Sequence, residues 1–276
     1  LSLRTGSGTL TLYHMPTFIE PILPSSGSRL SLSGGQDVGL GRIDVSGALT
    51  DTWFVPQFAL RLTHVFDNID LSLHVIHHQD RSQPAIALVQ NQPTALFQMV
   101  TQIGGTYQQV IDALLFKLEF GWRSFHSASD SSTLTFLGAS SGQADHGRAA
   151  LGFEYGFNHD GGAESTLLVE GQAVVGPKRD IAASLDIFQA DVLVGYRIAF
   201  NDVSSTSLTG SLIADIEYLG ECIGLMSIET RLNDTWSLRG AARLVLASKS
   251  ELSISSRPLQ ELRDSDYLSL NLIRHF

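Results

Sequence analysis

Cysteine is nearly absent. Cys222 is the only one in 276 residues, so no internal disulfide can form and a disulfide-stapled secreted scaffold is excluded. Charge is also scarce: 17% of residues are Asp, Glu, Lys or Arg, against about 25% in an ordinary soluble domain. No basic stretch interrupts a net charge of −10. That argues against a nucleic-acid partner, because neutralising phosphates needs a basic surface. A leader is missing as well, and the chain opens on Leu1 rather than methionine. It reads as a processed or truncated piece from which a targeting segment has been removed.

Long apolar runs are missing too. Ser82 to Ile111 has no charged side chain, but Pro84, Pro93, Gly104, Gly105 and many glutamines break it. It fails as a transmembrane helix, and no other helical span exists. A membrane location would require strands.

What is present is alternation of period two, which places successive side chains on opposite faces of a strand. In Leu114-Leu-Phe-Lys-Leu-Glu-Phe-Gly-Trp122, one face carries Leu114, Phe116, Leu118, Phe120 and Trp122; the other carries Lys117 and Glu119. Twelve such segments recur, near 8–18, 56–66, 69–78, 95–110, 113–125, 147–157, 165–175, 190–200, 207–218, 222–232, 236–247 and 267–276. Most have about ten residues, the length with which a tilted strand crosses a bilayer. A helical alternative exists for Tyr107 to Phe120, where Tyr107, Val110, Ile111, Leu114 and Leu118 share a helix face.

Connections sort by length. Asp67-Asn68, Ile111-Asp112, Asn158 to Gly162, Asn201-Asp202 and Asn233-Asp234 are short turns rich in residues that accept tight geometry. The alternate set is long, near 19–55, 79–94, 126–146, 176–189 and 248–266, with Leu219-Gly220-Glu221 the exception. Outer-membrane barrels alternate short periplasmic turns with long extracellular loops. The fold class expected is therefore all-β: one antiparallel transmembrane β-barrel domain of about twelve strands over 1–276.

Aromatics follow the same order. Phe66, Phe157, Phe200, Trp236 and Phe276 flank the short turns, while Trp122, Phe125 and Tyr218 fall at the opposite strand ends. They are the expected interfacial girdles. The polar faces then line a lumen, with Arg61, Lys117, Arg123, Arg197, Arg231, Arg239 and Arg243 against Glu119, Glu154, Glu170, Asp215, Glu217 and Glu229. Near-balance of sign fits a mixed-charge pore wall or an ion-paired, closed interior. It disfavours strong anion or cation selectivity.

Other constellations carry less. His74, His77 and His78 cluster, but His77 and His78 point to opposite faces and the local pattern supplies no further metal ligands. No Gly-x-Ser-x-Gly elbow marks a nucleophile, so no catalytic residue, metal or cofactor is expected. Gly34-Gly35 and Gly39-Leu-Gly41 read as flexible loop. Cys222 reads as a small apolar residue on the lipid face.

Three stretches together carry a resemblance: Asp112-Ala-Leu-Leu-Phe-Lys-Leu-Glu-Phe-Gly-Trp-Arg123, Val194-Gly-Tyr-Arg-Ile-Ala-Phe-Asn-Asp202 and Asp264-Ser-Asp-Tyr-Leu-Ser-Leu270. They resemble a poorly characterised family of proteobacterial outer-membrane barrel proteins. The resemblance implies a barrel in the bacterial outer membrane and no established substrate. It also implies sequence upstream of Leu1, hence strands beyond those counted or supplied by another chain.

The expected function is a channel or transport component for a small polar or amphipathic solute. The alternative is a plugged structural or partner-binding barrel that anchors an envelope complex; a lipid hydrolase is the weaker third. An autotransporter is disfavoured because residues 1–35, with Pro16, Pro21 and Pro24, supply no pore helix. Expected partners are outer-membrane lipids, other envelope proteins and the barrel assembly machinery. The last would recognise the closing strand, where Leu268, Leu270, Leu272 and Phe276 alternate and Arg274 departs from the pattern.

Overall fold

A computed structural model describes residues 1–28, 37–46, 48–50, 52, 54–82, 84–126, 135–136, 145–177, 179, 186, 188–247, 259 and 262–276. Its strands are β1 (Ser2–Thr5), β2 (Gly8–Thr17), β3 (Gly39–Ile43), β4 (Leu49–Thr50), β5 (Phe54–Phe66), β6 (Ile69–Gln79), β7 (Ala85–Val89), β8 (Gln92–Phe97) and β9 (Met99–Ile111). They continue as β10 (Leu114–Phe125), β11 (Thr135–Phe136), β12 (His146–Asn158), β13 (Glu164–Val175), β14 (Ala190–Ala199), β15 (Ser207–Asp215), β16 (Cys222–Arg231), β17 (Trp236–Leu246) and β18 (Tyr267–Arg274). The protein is all-β. Among the described residues no helix is long and apolar enough to cross a membrane, which leaves strand-crossing open.

A thirteen-stranded antiparallel sheet runs β1-β2-β5-β6-β9-β10-β12-β13-β14-β15-β16-β17-β18, and a five-stranded sheet runs β11-β7-β8-β3-β4. Each of the twelve alternating segments contains a strand of the larger sheet, and β1 is an addition to them. The helical alternative for Tyr107 to Phe120 fails because Asp112, at φ 52°, reverses the chain between β9 and β10. Asp67 and Asn201 also take left-handed φ, 32° and 51°, at short turns. Asp and Asn side chains tolerate that region where other residues resist it.

The stretches read as long loops are the larger departure. Residues 19–55 contain β3 and β4, 79–94 contain β7 and the start of β8, and 126–146 contain β11. Ala95 to Phe97 belong to β8, so the segment placed at 95–110 divides at Gln98. Most of 126–146, 176–189 and 248–266 lies outside the described residues, as do Gly34 and Gly35.

The chain forms two compact units, one of 1–107, 119–149 and 174–187, the other of 108–118, 150–173 and 188–276. In the first, Ile43, Ala85, Ala87 and Leu96 give the small sheet an apolar cluster of its own, and Phe97 of β8 forms a second with Phe18, Val55 of β5 and Met99 of β9. Gln90 and Asn91, at φ 52° and 64°, close the β7–β8 hairpin as a two-residue turn whose twist suits the strands. Gly39 and Gly41 are strand residues rather than flexible loop. They lie on β3, parallel to β8, and a Cβ on Gly41 would stand 2.8 Å from the Leu96 side chain. Glycine lets Leu96 pack that close to the β3 backbone, and any larger residue would require Leu96 to shift.

Gln79 ties this sheet to the long strands of the same unit. Its Nε2 donates to Ile43 O at 3.1 Å and Phe97 O at 2.6 Å, and its backbone N–H donates to Gln57 Oε1 at 3.0 Å. Gln57 Nε2 in turn donates to Met15 O and Thr17 O. Burying two glutamines is tolerable because each satisfies backbone carbonyls that would otherwise lack donors.

The second unit has the opposite pattern. Along β14 to β17, Val194 sits opposite Leu212, Leu212 opposite Gly224 and Gly224 opposite Leu244, which makes one apolar row. Leu244 is 61% exposed, while its neighbour Val245, on the other face, is 6% exposed. The same inversion holds on β5 of the first unit, where Phe58, Leu60 and Leu62 are exposed and Gln57 is buried. These strands leave an apolar side exposed.

Candidate functional site

The less exposed face of the large sheet gathers its charges, and each expected wall residue can be placed. In the second unit Lys117 Nζ donates to Glu154 Oε1, the side chains about 30% exposed. Arg239 faces Glu229 directly across the β16–β17 ladder, with Nη2 2.9 Å from Oε2. The second pair follows from register: oppositely charged residues directly opposite on one face attract. Arg243 donates through Nε and Nη2 to Ser265 O at 3.0 and 2.7 Å and lies over the Tyr267 ring. Arg231 Nη2 donates to Val203 O at 2.9 Å.

Asp215 does turn-building work. Its Oδ1 accepts the N–H groups of Glu217 and Tyr218 at 2.7 Å each, and its Oδ2 accepts from Gln189 Nε2 at 2.5 Å. β15 ends there, so Glu217 lies beyond the strand on which the alternation placed it. Glu170 packs its aliphatic stem over Gly152. Arg197 faces Thr166 and Thr209. Among the described residues Glu119, Glu170 and Arg197 make no ion pair.

In the first unit, Arg123 Nη2 is 2.8 Å from Asp80 Oδ1, with side chains 11% and 3% exposed. Asp80 Oδ1 also accepts from Ser82 N and Ser82 Oγ. Sequence reasoning missed Asp80 because it was assigned to a loop. The available signal was Arg123 itself, since a guanidinium on a shielded face requires an acidic partner.

Arg61 starts a second chain of contacts. Its Nε donates to Ser72 Oγ at 3.0 Å, and His74 faces it across the β5–β6 ladder. His74 Nε2 is 3.2 Å from Gln102 Nε2. A Cβ on Gly104 would lie 2.9 Å from the His74 ring, so that glycine makes room for the imidazole. Beside these groups is a cavity of about 470 Å³ lined by Tyr13, Met15, Arg61, His74, Ile76, His78, Arg81 and Thr106 among others.

The three histidines do not converge. His77 Nδ1 lies 3.0 Å from Thr101 Oγ1, which also bonds His126 Nε2 at 3.0 Å, and His78 Nδ1 donates to Gln79 O at 3.0 Å. Among the described residues no three His, Cys, Asp or Glu side chains are placed to hold a metal ion.

Each of the expected girdle aromatics can be placed. Phe66, Phe157, Phe200 and Phe276 are exposed beside short turns or the last strand. Trp236 opens β17, and the Arg274 guanidinium lies over its ring. Trp122 is half-buried because Gly147 and Gly176 leave space for its indole. Tyr218 follows the Asp215 turn. Cys222 sits opposite Ala214 and Leu246.

Compared with protein-family profiles, curated proteins and solved structures, the chain matches none.

Proposed function

We propose that the thirteen-stranded sheet closes into an integral barrel of the bacterial outer membrane that works as a channel or transport component for a small polar or amphipathic solute. One observation carries the reading: the long strands turn leucine, phenylalanine and tyrosine outward and bury glutamine, serine and aspartate. In water such a surface is unfavourable, at about 25 cal/mol per Å² of apolar area. A contiguous apolar exterior of this extent calls for a non-aqueous contact, and lipid supplies it. Strand lengths support it, since β2 and β14 have ten residues and β17 has eleven. Outer-membrane lipid is then the main partner, and β18 is the strand offered to the assembly machinery. Further envelope proteins, or a chain completing the barrel, fit the same reading. No catalytic role is assigned.

A second reading, a plugged barrel that anchors an envelope complex, is favoured by the five-stranded sheet with its own apolar core. Conductance in planar bilayers separates the two. Stable unitary steps from folded protein support the channel, and silence supports the plugged barrel. A predominantly helical circular dichroism spectrum would end both.

A further inference from the structure

We infer that the cavity of about 470 Å³ beside Arg61 and His74 is a binding site for an amphipathic oxyanion, a carboxylate or phosphate headgroup carrying a short apolar tail. The inference rests on the reading of this face as the wall of the solute path, and it deepens that reading by naming the solute's chemistry.

Charge is the first argument. Arg61 and Arg81 both line the cavity, and none of the described lining residues is acidic. Among the described residues neither guanidinium has a carboxylate partner. Arg61 spends only Nε, on Ser72 Oγ, and Arg81 makes a long 3.4 Å contact from Nη1 to Ile19 O. Asp80, which precedes Arg81 in the chain, is engaged by Arg123 at 2.8 Å. Free guanidinium N–H groups in a concavity are suited to bidentate recognition of carboxylate or phosphate. Wall pairs elsewhere, such as Arg239 with Glu229, are neutralised by register. Here the residue opposite Arg61 is His74.

Orientation is the second. Ser72 is buried and holds Arg61 at Nε, which leaves both terminal nitrogens for a ligand. Gln102 Nε2 donates to His74 Nε2, so the proton of the neutral ring sits on Nδ1 as a further donor. Gly104 holds the space in which that ring stands. Shape is the third. Tyr13, Met15 and Ile76 line the same cavity and offer an apolar wall beside the cationic one. A free inorganic anion would leave that wall unused. A volume in this range accommodates a small organic molecule.

Isothermal calorimetry on the folded chain in detergent tests this with octanoate, octyl phosphate, inorganic phosphate, octanol and octyltrimethylammonium. Octanoate and octyl phosphate are expected to bind saturably, the stronger of the two identifying the headgroup. Inorganic phosphate should be at least tenfold weaker for want of a tail, and octanol and octyltrimethylammonium should not compete. Arg61→Gln and Arg81→Gln should each weaken octanoate by about tenfold, the loss of one charge-assisted hydrogen bond. Arg263→Gln, outside the cavity, should not. Arg81 lies beyond the end of β6, so its substitution leaves the strand ladder intact. Equal binding of octanol or octyltrimethylammonium, undiminished binding of the preferred anion by Arg81→Gln, or binding of neither octanoate nor octyl phosphate would overturn the site. Conductance with neither anion bound would sink this inference and leave the channel standing. Binding of either anion by a non-conducting protein would do the reverse.

Discussion

The guanidinium carbon of Arg274 stands 4.9 Å from the ring centroid of Phe276 and 5.8 Å from that of Trp236. Trp236 and Arg274 are directly opposite in the β17–β18 ladder, on the face that also carries Leu268, Leu270 and Leu272. An arginine on an apolar face is costly at mid-membrane but nearly free at the interface. Two aromatic faces offset part of what remains. At partly exposed sites each such contact contributes about 0.5–1 kcal/mol. A double-mutant cycle of Arg274→Gln and Trp236→Leu, read by urea unfolding in lipid vesicles, should give a coupling of about that size. Zero coupling would mean that the stack contributes nothing.

Asp80 and Arg123 predict a larger effect. The pair is largely buried, so removing one partner leaves an uncompensated charge, at about 3–5 kcal/mol. Asp80→Ala should therefore destabilise the first unit far more than Glu154→Ala destabilises the second, where the Lys117 pair is about 30% exposed and worth about 1 kcal/mol at most. The double variant Asp80→Leu with Arg123→Met should recover most of the Asp80→Ala loss. Chemical denaturation of the three variants checks the order.

These residues also mark how far the sequence could be read. Strands such as Leu114 to Phe125 were legible because alternation of period two is local and the polar–apolar contrast is strong. Pairs within one ladder, Arg239 with Glu229, were legible as charges though not as partners, because partnership depends on register. Asp80 and Gln79 were not legible. Gln79 acts through Ile43 of β3 and Phe97 of β8, and Asp80 acts through Arg123 of β10; contacts between segments so far apart in sequence leave no periodic trace. The glycines of β3 misled for a related reason: a side chain packed close onto the backbone and a flexible loop call for the same residue.

That close approach is itself testable. Gly41→Val places a branched side chain where a single Cβ would already be 2.8 Å from Leu96, a residue with no exposed surface. Overpacking of this kind costs about 1–3 kcal/mol. The loss should be local: faster proteolysis and hydrogen exchange across β3, β7 and β8, with the β14–β17 ladder unchanged. Uniform loss of protection would show that the small sheet is not a separate cooperative element.

Asp202 predicts a pH dependence at a turn. The Thr206 N–H donates to Oδ1 at 2.7 Å and Thr206 Oγ1 donates to Oδ2 at 2.8 Å, and together they hold the carboxyl below its ordinary value of 3.8. The unfolded chain therefore binds this proton more tightly than the folded one. The turn's contribution is complete above about pH 4 and fades as pH falls through the lower folded value. Carboxyl-detected NMR titration should show Asp202 protonating below a free aspartate, and Thr206→Ala should move it up. An Asp202 that titrates like free aspartate in the unaltered protein would contradict the capping role.

The sharpest test of the lipid-facing assignment uses neighbouring residues of β18. Leu270, 74% exposed, shares its face with Leu268 and Leu272, whereas Ser269 is on the other face opposite Ala241. If the apolar face meets hydrocarbon, Leu270→Arg should cost about 2–4 kcal/mol of stability in a bilayer, because the guanidinium loses its water at mid-depth. Ser269→Arg, facing the polar side, should cost far less. The contrast should also vanish in solvent: were this surface bathed in water, Leu270→Arg would be neutral or improve solubility. Folding of both variants into vesicles of matched thickness, followed by urea titration, reads the difference. Equal costs at 269 and 270 would remove the distinction between the two faces and, with it, the support for the barrel.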